Sequence, residues 1–560
     1  MAPRMWLFAV VAVAAVARAT AAVPLPHLVF NFVDDWGRNN FGPHARSQAN
    51  AAEVQTPVLD ALAAAGVLLD QAYVFKFCSP SRSAFHTGRN PLQINVLNSD
   101  LAAANASDPV SGFAGLPLNV TALPALLAAQ GYFTVMSGKA HIGLATPQHT
   151  PRGRGYNRSL AYLDGANGYW NFETGDWCGA PTVDLWEDSA PALGRNNSLS
   201  CSQANQAPGC VYEDDLFTDF AVARIAEHNA SAAPLFLYFA PHSVHLPLEV
   251  PQAQLDKFKF INDSAPRQHY AAMVNNVDAH IGRVVAALKD RGMWENTLLV
   301  VSADNGGPIF GQAAGCALCD GSAGANNYPL RGGKHSNWQG GVRANCVVSG
   351  GALPPAARNT TLAGFVGVED WYKTLGGLAG VTDFTDHAAA AAGLPPVAGV
   401  DQWPYISGAN ATPPRTEIWL GADSPAGGAV PGAAFVQGLI RADGYKLLRD
   451  VVDMDVWTGP FYPNASTAAH PWNNSGRDCG QLPAPTCLFN IFDDPSEHEN
   501  LAAAHPDRVA AMAARIAELQ AAVFSPYRGN PDPRACKATR ELWHGFVGPF
   551  IDVGPLNSTT

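Results

Sequence analysis

Leu28–Val33, with the sequence LVFNFV, is followed at once by Asp34 and Asp35. Apart from Asn31 the six residues are apolar, which is typical of a strand buried on both faces of a sheet. Functional sites of parallel α/β sheets lie just beyond the carboxyl ends of the strands. The sequence therefore predicts a central strand that ends at a pair of carboxylates.

Segments with strand and helix patterns alternate through the first three-quarters of the chain. Thr56-Pro57 predicts a helix start, with Thr56 as the N-cap residue and Leu59 and Leu62 at helical spacing behind it. The other predicted elements are helices around 123–129 and 214–227, a long helix through 273–288 that ends near Gly292, and strands over 132–136, 235–239 and 297–301. This alternation predicts an α/β fold whose central sheet, mostly parallel or mixed, is flanked by helices.

The composition changes near residues 385–415, where Ala, Gly and Pro dominate. Beyond that point come short strand patterns at 435–440 and 445–448 and one helix pattern at 506–523. They predict a smaller C-terminal α+β domain with an antiparallel sheet and a helix. The predicted organisation is a signal peptide over 1–22, a large domain with the functional site over 23–412, and the smaller domain over 413–560.

The chain has 560 residues, of which 47% are hydrophobic and 15% charged, and its formal net charge is −12. No run rich in Lys and Arg occurs, which excludes the usual electrostatic basis of nucleic-acid binding. Arg4, an apolar stretch over 6–16 and the small residues 19–21 form a secretory signal-peptide pattern, although a retained N-terminal anchor is the alternative. We expect no membrane span after its removal and a place in the secretory pathway, either extracellular or lysosomal.

Eleven Asn-x-Ser/Thr triplets and ten cysteines agree with export. The triplets predict a glycoprotein and begin at Asn105, Asn119, Asn157, Asn196, Asn229, Asn262, Asn359, Asn410, Asn464, Asn473 and Asn557. The predicted disulfide pairs are Cys201 with Cys210 and Cys479 with Cys487. Cys316 and Cys319 either close a tight loop or pair elsewhere, and Cys346 is expected to be a buried free thiol.

A second group of oxygen-bearing side chains follows the strand predicted over 297–301. Asp304-Asn305-Gly306 lies at its carboxyl end, as Asp34-Asp35 does at the end of the first strand. Side-chain oxygens of Asp and Asn suit a hard divalent cation, calcium or magnesium, better than zinc. Each stretch alone is also a common turn sequence, so it is their combination that favours a metal site.

Cys78-Ser79-Pro80-Ser81-Arg82, followed by Thr87-Gly88-Arg89, is the most distinctive stretch of the chain. Pro80 favours a helix start, which places Cys78 at the positive helix N-terminus and Arg82 one turn further on. This environment stabilises an anion near a solvent-facing Cys78 and lowers the pKa of its thiol, as expected for a nucleophile. A disulfide cysteine before a helix is the alternative.

These residues resemble the signature of the sulfatases, and further motifs of that family follow in order. Gly131–His141 resembles the second signature, and His242–Pro247 resembles the histidine loop. Ala303–Gly307 resembles the second metal loop. Leu330–Arg343, called the lysine loop below, is similar to the corresponding loop of the arylsulfatase B (N-acetylgalactosamine-4-sulfatase) branch. The resemblance covers nearly the whole chain after the signal peptide.

The resemblance implies an alkaline-phosphatase-like fold and hydrolysis of sulfate esters in a sulfated small molecule or carbohydrate. It implies that a formylglycine-generating enzyme oxidises Cys78 to formylglycine (3-oxoalanine), which acts as the nucleophile. One calcium ion, with magnesium as the alternative, is the implied metal cofactor. Its implied ligands are Asp34, Asp35, Cys78 in its modified form, Asp304 and Asn305.

The family resemblance also implies roles for the cationic side chains. Arg82 orients the nucleophile, and Lys139 and Lys334 bind the sulfate oxygens. His245, which also contacts the substrate, and Lys334 protonate the leaving oxygen, whereas His141 accepts a proton later in the cycle. The implied catalytic residues are Cys78, Arg82, Lys139, His141, His245 and Lys334.

Two positions depart from the family pattern, and two other functions stay open. Gln339 stands where many members have Glu, and His242 stands where close relatives commonly have an amide. A phosphatase or phosphodiesterase of the alkaline-phosphatase superfamily is one alternative, although such enzymes typically use Ser or Thr and two metals. A non-catalytic secreted glycan-binding protein is the other, and it predicts the loss of at least one reactive residue.

Overall fold

The computed structural model describes residues 24–46, 48–94, 101–175, 178–195, 200–310, 323–421, 436–464, 476–480, 486–524 and 527–554. The predictions that lie outside these residues are the signal peptide over 1–22, the pairing of Cys316 and Cys319, and the triplets at Asn196, Asn473 and Asn557. No helix within the described ranges is both long enough and apolar enough to cross a membrane.

The strands, numbered in chain order, are β1 His27–Val33, β2 Val67–Leu69, β3 Ala72–Tyr73, β4 Ala103–Ala104, β5 Phe133–Lys139, β6 Arg158–Tyr162, β7 Trp186–Glu187, β8 Ala190–Pro191, β9 Leu235–Ala240, β10 Thr297–Ala303, β11 Cys346–Ser349, β12 Thr360–Leu362, β13 Val366–Gly367, β14 Glu417–Gly421, β15 Gly438–Arg441, β16 Tyr445–Leu448, β17 Val451–Val452, β18 Arg477–Asp478, β19 Cys487–Asn490 and β20 Asn530–Pro531. The α-helices are α1 Gly42–Ala45, α2 Pro57–Ala64, α3 Cys78–Thr87, α4 Leu123–Ala129, α5 Glu213–Glu227, α6 Gln252–Leu255, α7 Ala265–Asp290, α8 Gln339–Val342, α9 Asp370–Leu378, α10 His387–Ala391, α11 Trp403–Ile406, α12 Pro506–Gln520 and α13 Pro533–Lys537.

A ten-stranded mixed sheet forms the centre of the fold, in the order β12-β2-β11-β10-β1-β9-β5-β6-β7-β8. β1 pairs in parallel with both β10 and β9, and Val33 lies opposite Ala303. Parallel pairing continues from β9 through β5 to β6, whereas the β10–β11 and β11–β2 pairs are antiparallel. Helices pack against the sheet, among them α5 on β5 and α2 on β11. The predicted α/β fold with a mixed central sheet is confirmed.

All seven residues of β1 are buried, as the apolar sequence predicts. Asn31 satisfies its amide by donating from Nδ2 to the carbonyl oxygen of Val300, 3.2 Å away. β5 is longer than the predicted strand over 132–136, because its pairing with β9 continues until Gly138 lies opposite Ala240. The apolar pattern ends before that point, so only the pairing reveals that the strand delivers Lys139 to the end of the sheet.

Thr56 is the N-cap residue of α2, as predicted, but its side chain does not cap the helix. The Thr56 hydroxyl donates to Oδ1 of Asp60 at 2.9 Å, and its side chain makes no capping bond to the first turn. Asp278 of α7 takes that role, because its two carboxylate oxygens accept from the N–H groups of Val58 and Leu59 at 3.1 and 2.8 Å. The partner lies more than two hundred residues further along the chain, so no local pattern could indicate it.

The C-terminal part contains a four-stranded antiparallel sheet in the order β14-β15-β16-β19, with α12 packed on β15 and β16. This arrangement is the predicted α+β architecture. The chain then packs back against its N-terminal part: β20 and β4 form a separate two-stranded sheet, and the N–H of Val547 donates to the carbonyl oxygen of Val183 at 2.9 Å. The domain boundary after residue 412 stays a prediction.

The predicted disulfides Cys201–Cys210 and Cys479–Cys487 are present. Cys346 is a buried free thiol, as expected. A further disulfide joins Cys178 to Cys536 across a sequence separation of 358. Sequence reading did not indicate this pair, because the two cysteines come together only when the C-terminal segment packs on the large domain.

We expect Asp278→Asn to lower the free energy of unfolding by about 1–3 kcal/mol, because its NH₂ group would face one of the two N–H donors of α2 and leave that donor unpaired. Chemical denaturation of the two proteins measures the difference. Asp290→Asn, at the exposed end of the same helix, is the matched control and should change stability by less than about 0.5 kcal/mol. Equal denaturation midpoints for Asp278→Asn and the parent would contradict the capping role.

Candidate functional site

The carboxyl ends of β1, β5 and β10 meet at one place, and the predicted site residues follow them. Since Val33 and Ala303 lie opposite each other in parallel strands, the next residues, Asp34 and Asp304, lie side by side. β5 ends at Lys139 in the same region. The first residue of α3 is Cys78, and the thiol of this residue donates to Oδ1 of Asp34 at 3.4 Å.

Asp34 is fully buried and contacts two cations. The Lys139 ammonium lies 2.5 Å from its Oδ2, and Nη2 of Arg82 lies 3.6 Å from the same oxygen. Burial alone would raise the pKa of Asp34, but the charges of Lys139 and Arg82 hold that pKa well below its usual range. Asp34 is therefore an ionised carboxylate inside the protein.

Arg82 binds Asp304 through two nitrogens. Its Nη2 and Nε donate to Oδ2 of Asp304 at 2.8 and 3.1 Å, and its Nη1 donates to the carbonyl oxygen of Lys139 at 3.2 Å. Burial and the neighbouring charge of Asp34 nevertheless raise the pKa of Asp304 to about 7. Arg82 thus joins the second metal loop to the end of β5.

Asp35 forms the other side of the cluster. Nζ of Lys334 lies 2.7 Å from its Oδ1, and Nδ2 of Asn305 donates to the same oxygen at 2.7 Å. Burial raises the pKa of Asp35 even though Lys334 opposes that effect. Its φ of 57° lies in the left-handed region, which is uncommon for a non-glycine residue and costs energy that the surrounding structure must supply.

The two predicted catalytic histidines differ in their hydrogen bonds. Nδ1 of His245 lies 2.7 Å from the carbonyl oxygen of Leu246, so this nitrogen carries the proton and donates it. Nε2 of His245 lies 3.7 Å from Oδ2 of Asp35. His141 is buried and its Nδ1 has no hydrogen-bond partner. Burial lowers the pKa of both histidines well below the ordinary value, with Lys334 adding to this for His245 and Lys139 for His141, so both rings are neutral.

The structure overturns two expectations for Cys78. The residue is 1% exposed, so it does not face solvent, and it forms no disulfide. Burial and the charge of Asp34 raise the pKa of its thiol to about 12, instead of the lowered pKa expected at a helix N-terminus. The helix dipole is therefore outweighed by the loss of water and by the adjacent carboxylate.

The donor atoms fit a hard divalent cation. Oδ1 of Asn305 is buried without a hydrogen-bond partner, which is costly unless a cation or water binds it. Three carboxylates, those of Asp34, Asp35 and Asp304, surround the same region, and oxygen donors are the ligands that calcium and magnesium prefer. His245 also offers a ring nitrogen within 4.8 Å of the donor atoms of Asp34, Asp35 and Cys78.

Sequence reading missed the residues that hold the histidine loop. Asp214, at the start of α5, accepts from the backbone N–H groups of His242 and Ser243 at 2.7 and 3.0 Å. Glu213 contacts Nδ1 of His242 at 2.9 Å. The hydroxyl of Tyr169 donates to the carbonyl oxygen of His245 at 2.9 Å. Acidic residues at a helix start are common, so their pattern does not distinguish these roles.

The packing around His141 also requires a glycine at position 165, which the sequence did not indicate. A Cβ atom there would lie 2.9 Å from Cε1 of His141, closer than van der Waals contact allows. Trp338 is fully buried and stacks on Arg331. Trp170 is also buried, so both indoles are packing residues.

The comparisons with known proteins agree with this geometry. The sulfatase family model matches residues 26–381, more than half of the chain. Arylsulfatase J of Mus musculus is 30% identical over 541 residues, covering 95% of this chain and 81% of that protein. Arylsulfatase A of Homo sapiens is 29% identical over 352 residues, which cover 61% of each protein. The crystal structure of Ps i-CgsB in complex with k-i-k-neocarrahexaose has the same fold, with a TM-score of 0.67 at 23% identity over 92% of this chain and 97% of that one.

Membership of the arylsulfatase B branch is not tested by these matches and stays a prediction. The match of the family model over most of the large domain, and a relative aligned over nearly the whole chain, settle the broader question. The chain belongs to the sulfatase family, and the protein is a sulfatase enzyme.

Proposed function

We propose that this protein hydrolyses sulfate esters at the cluster around residue 78. The observation that carries the proposal is the burial of three cations, Arg82, Lys139 and Lys334, against three carboxylates beside Cys78. Cations held in a dry site stabilise the negative charge that develops on a transferring anionic group, and they need no reorganisation at the moment of reaction.

The high pKa of the Cys78 thiol argues against an unmodified cysteine nucleophile, since a thiol with a pKa of about 12 is not ionised near neutral pH. We propose that residue 78 is converted to formylglycine, which supplies the attacking oxygen. The chain contributes the surroundings of that residue: Arg82 fixes the position of Asp304, and Lys139 neutralises Asp34.

Calcium is the proposed metal, held by Asp34, Asp35, Asp304, Asn305 and residue 78. When bound, it would supply positive charge next to the nucleophile and the sulfate group. In the structure, Lys139 and Lys334 neutralise Asp34 and Asp35. With a cation bound by these carboxylates, both ammonium groups would be available to the oxygens of an anionic substrate.

His245 is the proposed acid for the leaving oxygen, together with Lys334. In its neutral form His245 holds its proton on Nδ1 and presents Nε2 as an acceptor. An anionic ester bound beside the ring favours protonation of Nε2, which then has a proton to donate. His141 keeps Nδ1 unpartnered inside the site, so it is the proposed proton acceptor during sulfate release.

The proposed substrate is a sulfated carbohydrate or small molecule. Support comes from the similarity to arylsulfatases J and A and from the neocarrahexaose bound in the Ps i-CgsB structure. We further propose a path through the secretory pathway to an extracellular or lysosomal location, with maturation by a formylglycine-generating enzyme. The two short-range disulfides, Cys201–Cys210 and Cys479–Cys487, support an oxidising compartment.

Cys78→Ala should remove essentially all hydrolysis of an aryl sulfate and leave the fold intact, because the nucleophile is lost and only a small buried side chain is shortened. Cys346→Ala is the matched control, since Cys346 is also a buried free thiol but lies in β11 away from the site. Peptide mass spectrometry of the parent should detect formylglycine at residue 78. Activity of Cys78→Ala within about tenfold of the parent would contradict the proposal. Faster turnover of the matching aryl phosphate by the parent would favour a phosphatase.

Elemental analysis of the purified protein should find calcium or magnesium near one ion per chain and no stoichiometric zinc. Asn305→Ala should weaken retention of that ion, because the unpartnered amide oxygen is lost. Asn345→Ala is the control, since its buried amide donates to the carbonyl oxygen of Gly37 and has its own partners. Stoichiometric zinc, or unchanged metal content in Asn305→Ala, would show that the ligand set is wrong.

The two histidines should differ in their dependence on the leaving group. His245→Ala should slow hydrolysis of sugar sulfates most, and an activated aryl sulfate should recover part of the rate, because its phenolate leaves without a proton. His141→Ala should slow turnover of both substrates and give a burst of released phenol, because its step follows departure of the leaving group. Rapid-mixing kinetics on both substrates measures this. Equal leaving-group dependence without a burst in either variant would mean that the roles are wrongly assigned.

A further inference from the structure

The C-terminal domain holds the lysine loop on both sides of Lys334. Before Lys334, Nη1 of Arg331 donates to the carbonyl oxygen of Glu497 at 2.9 Å. After it, the backbone N–H of Gln339 donates to Oε2 of Glu497 at 2.7 Å. One residue of the smaller domain therefore binds both ends of the segment that carries a site lysine.

Glu497 is itself held in an unusual state. It is fully buried, and its Oε1 lies 2.7 Å from Nζ of Lys446, which is also fully buried. Each of the two charges is stabilised by the other, because removing one partner of a buried pair leaves the remaining charge without compensation. The φ of Glu497 is 59°, in the left-handed region. Backbone strain of this kind persists only where the surroundings enforce it, and it is common near functional sites.

The start of the loop is fixed by further contacts to the same domain. The guanidinium of Arg331 lies 3.6 Å from the ring centroid of Trp338 and 4.2 Å from that of Trp457, so it is stacked between two indoles. Its Nε donates to Oδ1 of Asp455 at 2.8 Å. The N–H of Gly332 donates to the carbonyl oxygen of Val456 at 2.8 Å.

The inner end of the loop meets the site. The backbone N–H of Lys334 donates to the carbonyl oxygen of Gly307 at 3.1 Å, and its Nζ lies 2.7 Å from Oδ1 of Asp35. The position of the Lys334 side chain therefore depends on the position of the backbone on either side of it. Glu497 accepts hydrogen bonds from this segment both before and after Lys334, from the side chain of Arg331 and from the backbone of Gln339.

We propose that Glu497 is a positioning residue for Lys334, so that the smaller domain helps to bind the sulfate group. This inference rests on the proposed function, in which Lys334 contacts the sulfate oxygens. Without the Glu497 carboxylate, the N–H of Gln339 loses its hydrogen-bond acceptor. The turn that follows Gln339 then becomes more mobile. The ammonium of Lys334 then spends less time in the binding position, which weakens substrate binding more than it slows the chemical step.

The test uses Glu497→Met combined with Lys446→Met, which removes both charges together and so avoids an unpaired buried charge. We expect KM for an aryl sulfate to rise about tenfold with a much smaller change in kcat. In a Lys334→Ala background the same pair of substitutions should change kcat/KM less than about twofold, since the lysine that it positions is absent. Glu497→Gln with Lys446→Met should restore part of the KM, because the amide oxygen can still accept from Gln339.

The control is Glu417→Met with Arg515→Met. This ion pair, 2.7 Å apart, lies between β14 and α12 of the same domain. It should leave KM unchanged. Amide hydrogen exchange of residues 331–343, measured without substrate, should accelerate in the Glu497/Lys446 variant and not in the control.

Two results would overturn the inference: an equal fall of kcat/KM with and without Lys334, or unchanged exchange of the loop in the Glu497/Lys446 variant. A parent protein that hydrolyses no sulfate ester would instead refute the proposed function. Accelerated exchange of the loop would still support the positioning role in that case, so the two failures can be told apart.

Discussion

Six charged side chains are buried together at the carboxyl ends of three strands, and there they must neutralise one another because water cannot. The shortest contacts pair Asp34 with Lys139, Asp35 with Lys334, and Asp304 with Arg82, and Arg82 also lies 3.6 Å from Asp34. Losing any one of them would leave an uncompensated charge in a medium of low dielectric constant. The fold around the site brings these six groups to one place and holds them there.

The parallel register of the central sheet brings most of these groups together. Because β1 and β10 run side by side in the same direction, Asp34 and Asp304 leave the sheet as neighbours, and β5 brings Lys139 to the same end. The remaining members come from a helix start, which carries Arg82, and from the lysine loop. That loop has little regular structure of its own, and hydrogen bonds from Arg331 and Gln339 to Glu497 tie it to the C-terminal part of the chain.

Burial and the neighbouring charges also determine the protonation states of the cysteine and the histidines in the site. Burial and the adjacent charge of Asp34 raise the pKa of the Cys78 thiol to about 12, which disfavours a thiolate near neutral pH. Burial keeps His141 and His245 neutral until an anion arrives. In the proposed mechanism a bound sulfate ester supplies that negative charge, so the protonation state of the site would depend on its substrate.

Read alone, the sequence determined the alternation of strands and helices, the residues at the strand ends and the motifs that identify the family, because these depend on local pattern and on chemistry carried by single side chains. It misjudged the environment of Cys78, and it did not indicate that Asp278 caps α2 or that Asp214 and Glu497 bind distant backbone groups. Each of these depends on which distant group reaches a given atom: Asp278 lies 220 positions from the N–H of Val58 that it binds, and Glu497 lies 158 positions from Gln339. Burial and long-range partners are properties of the packed chain, so only the tertiary structure could decide them.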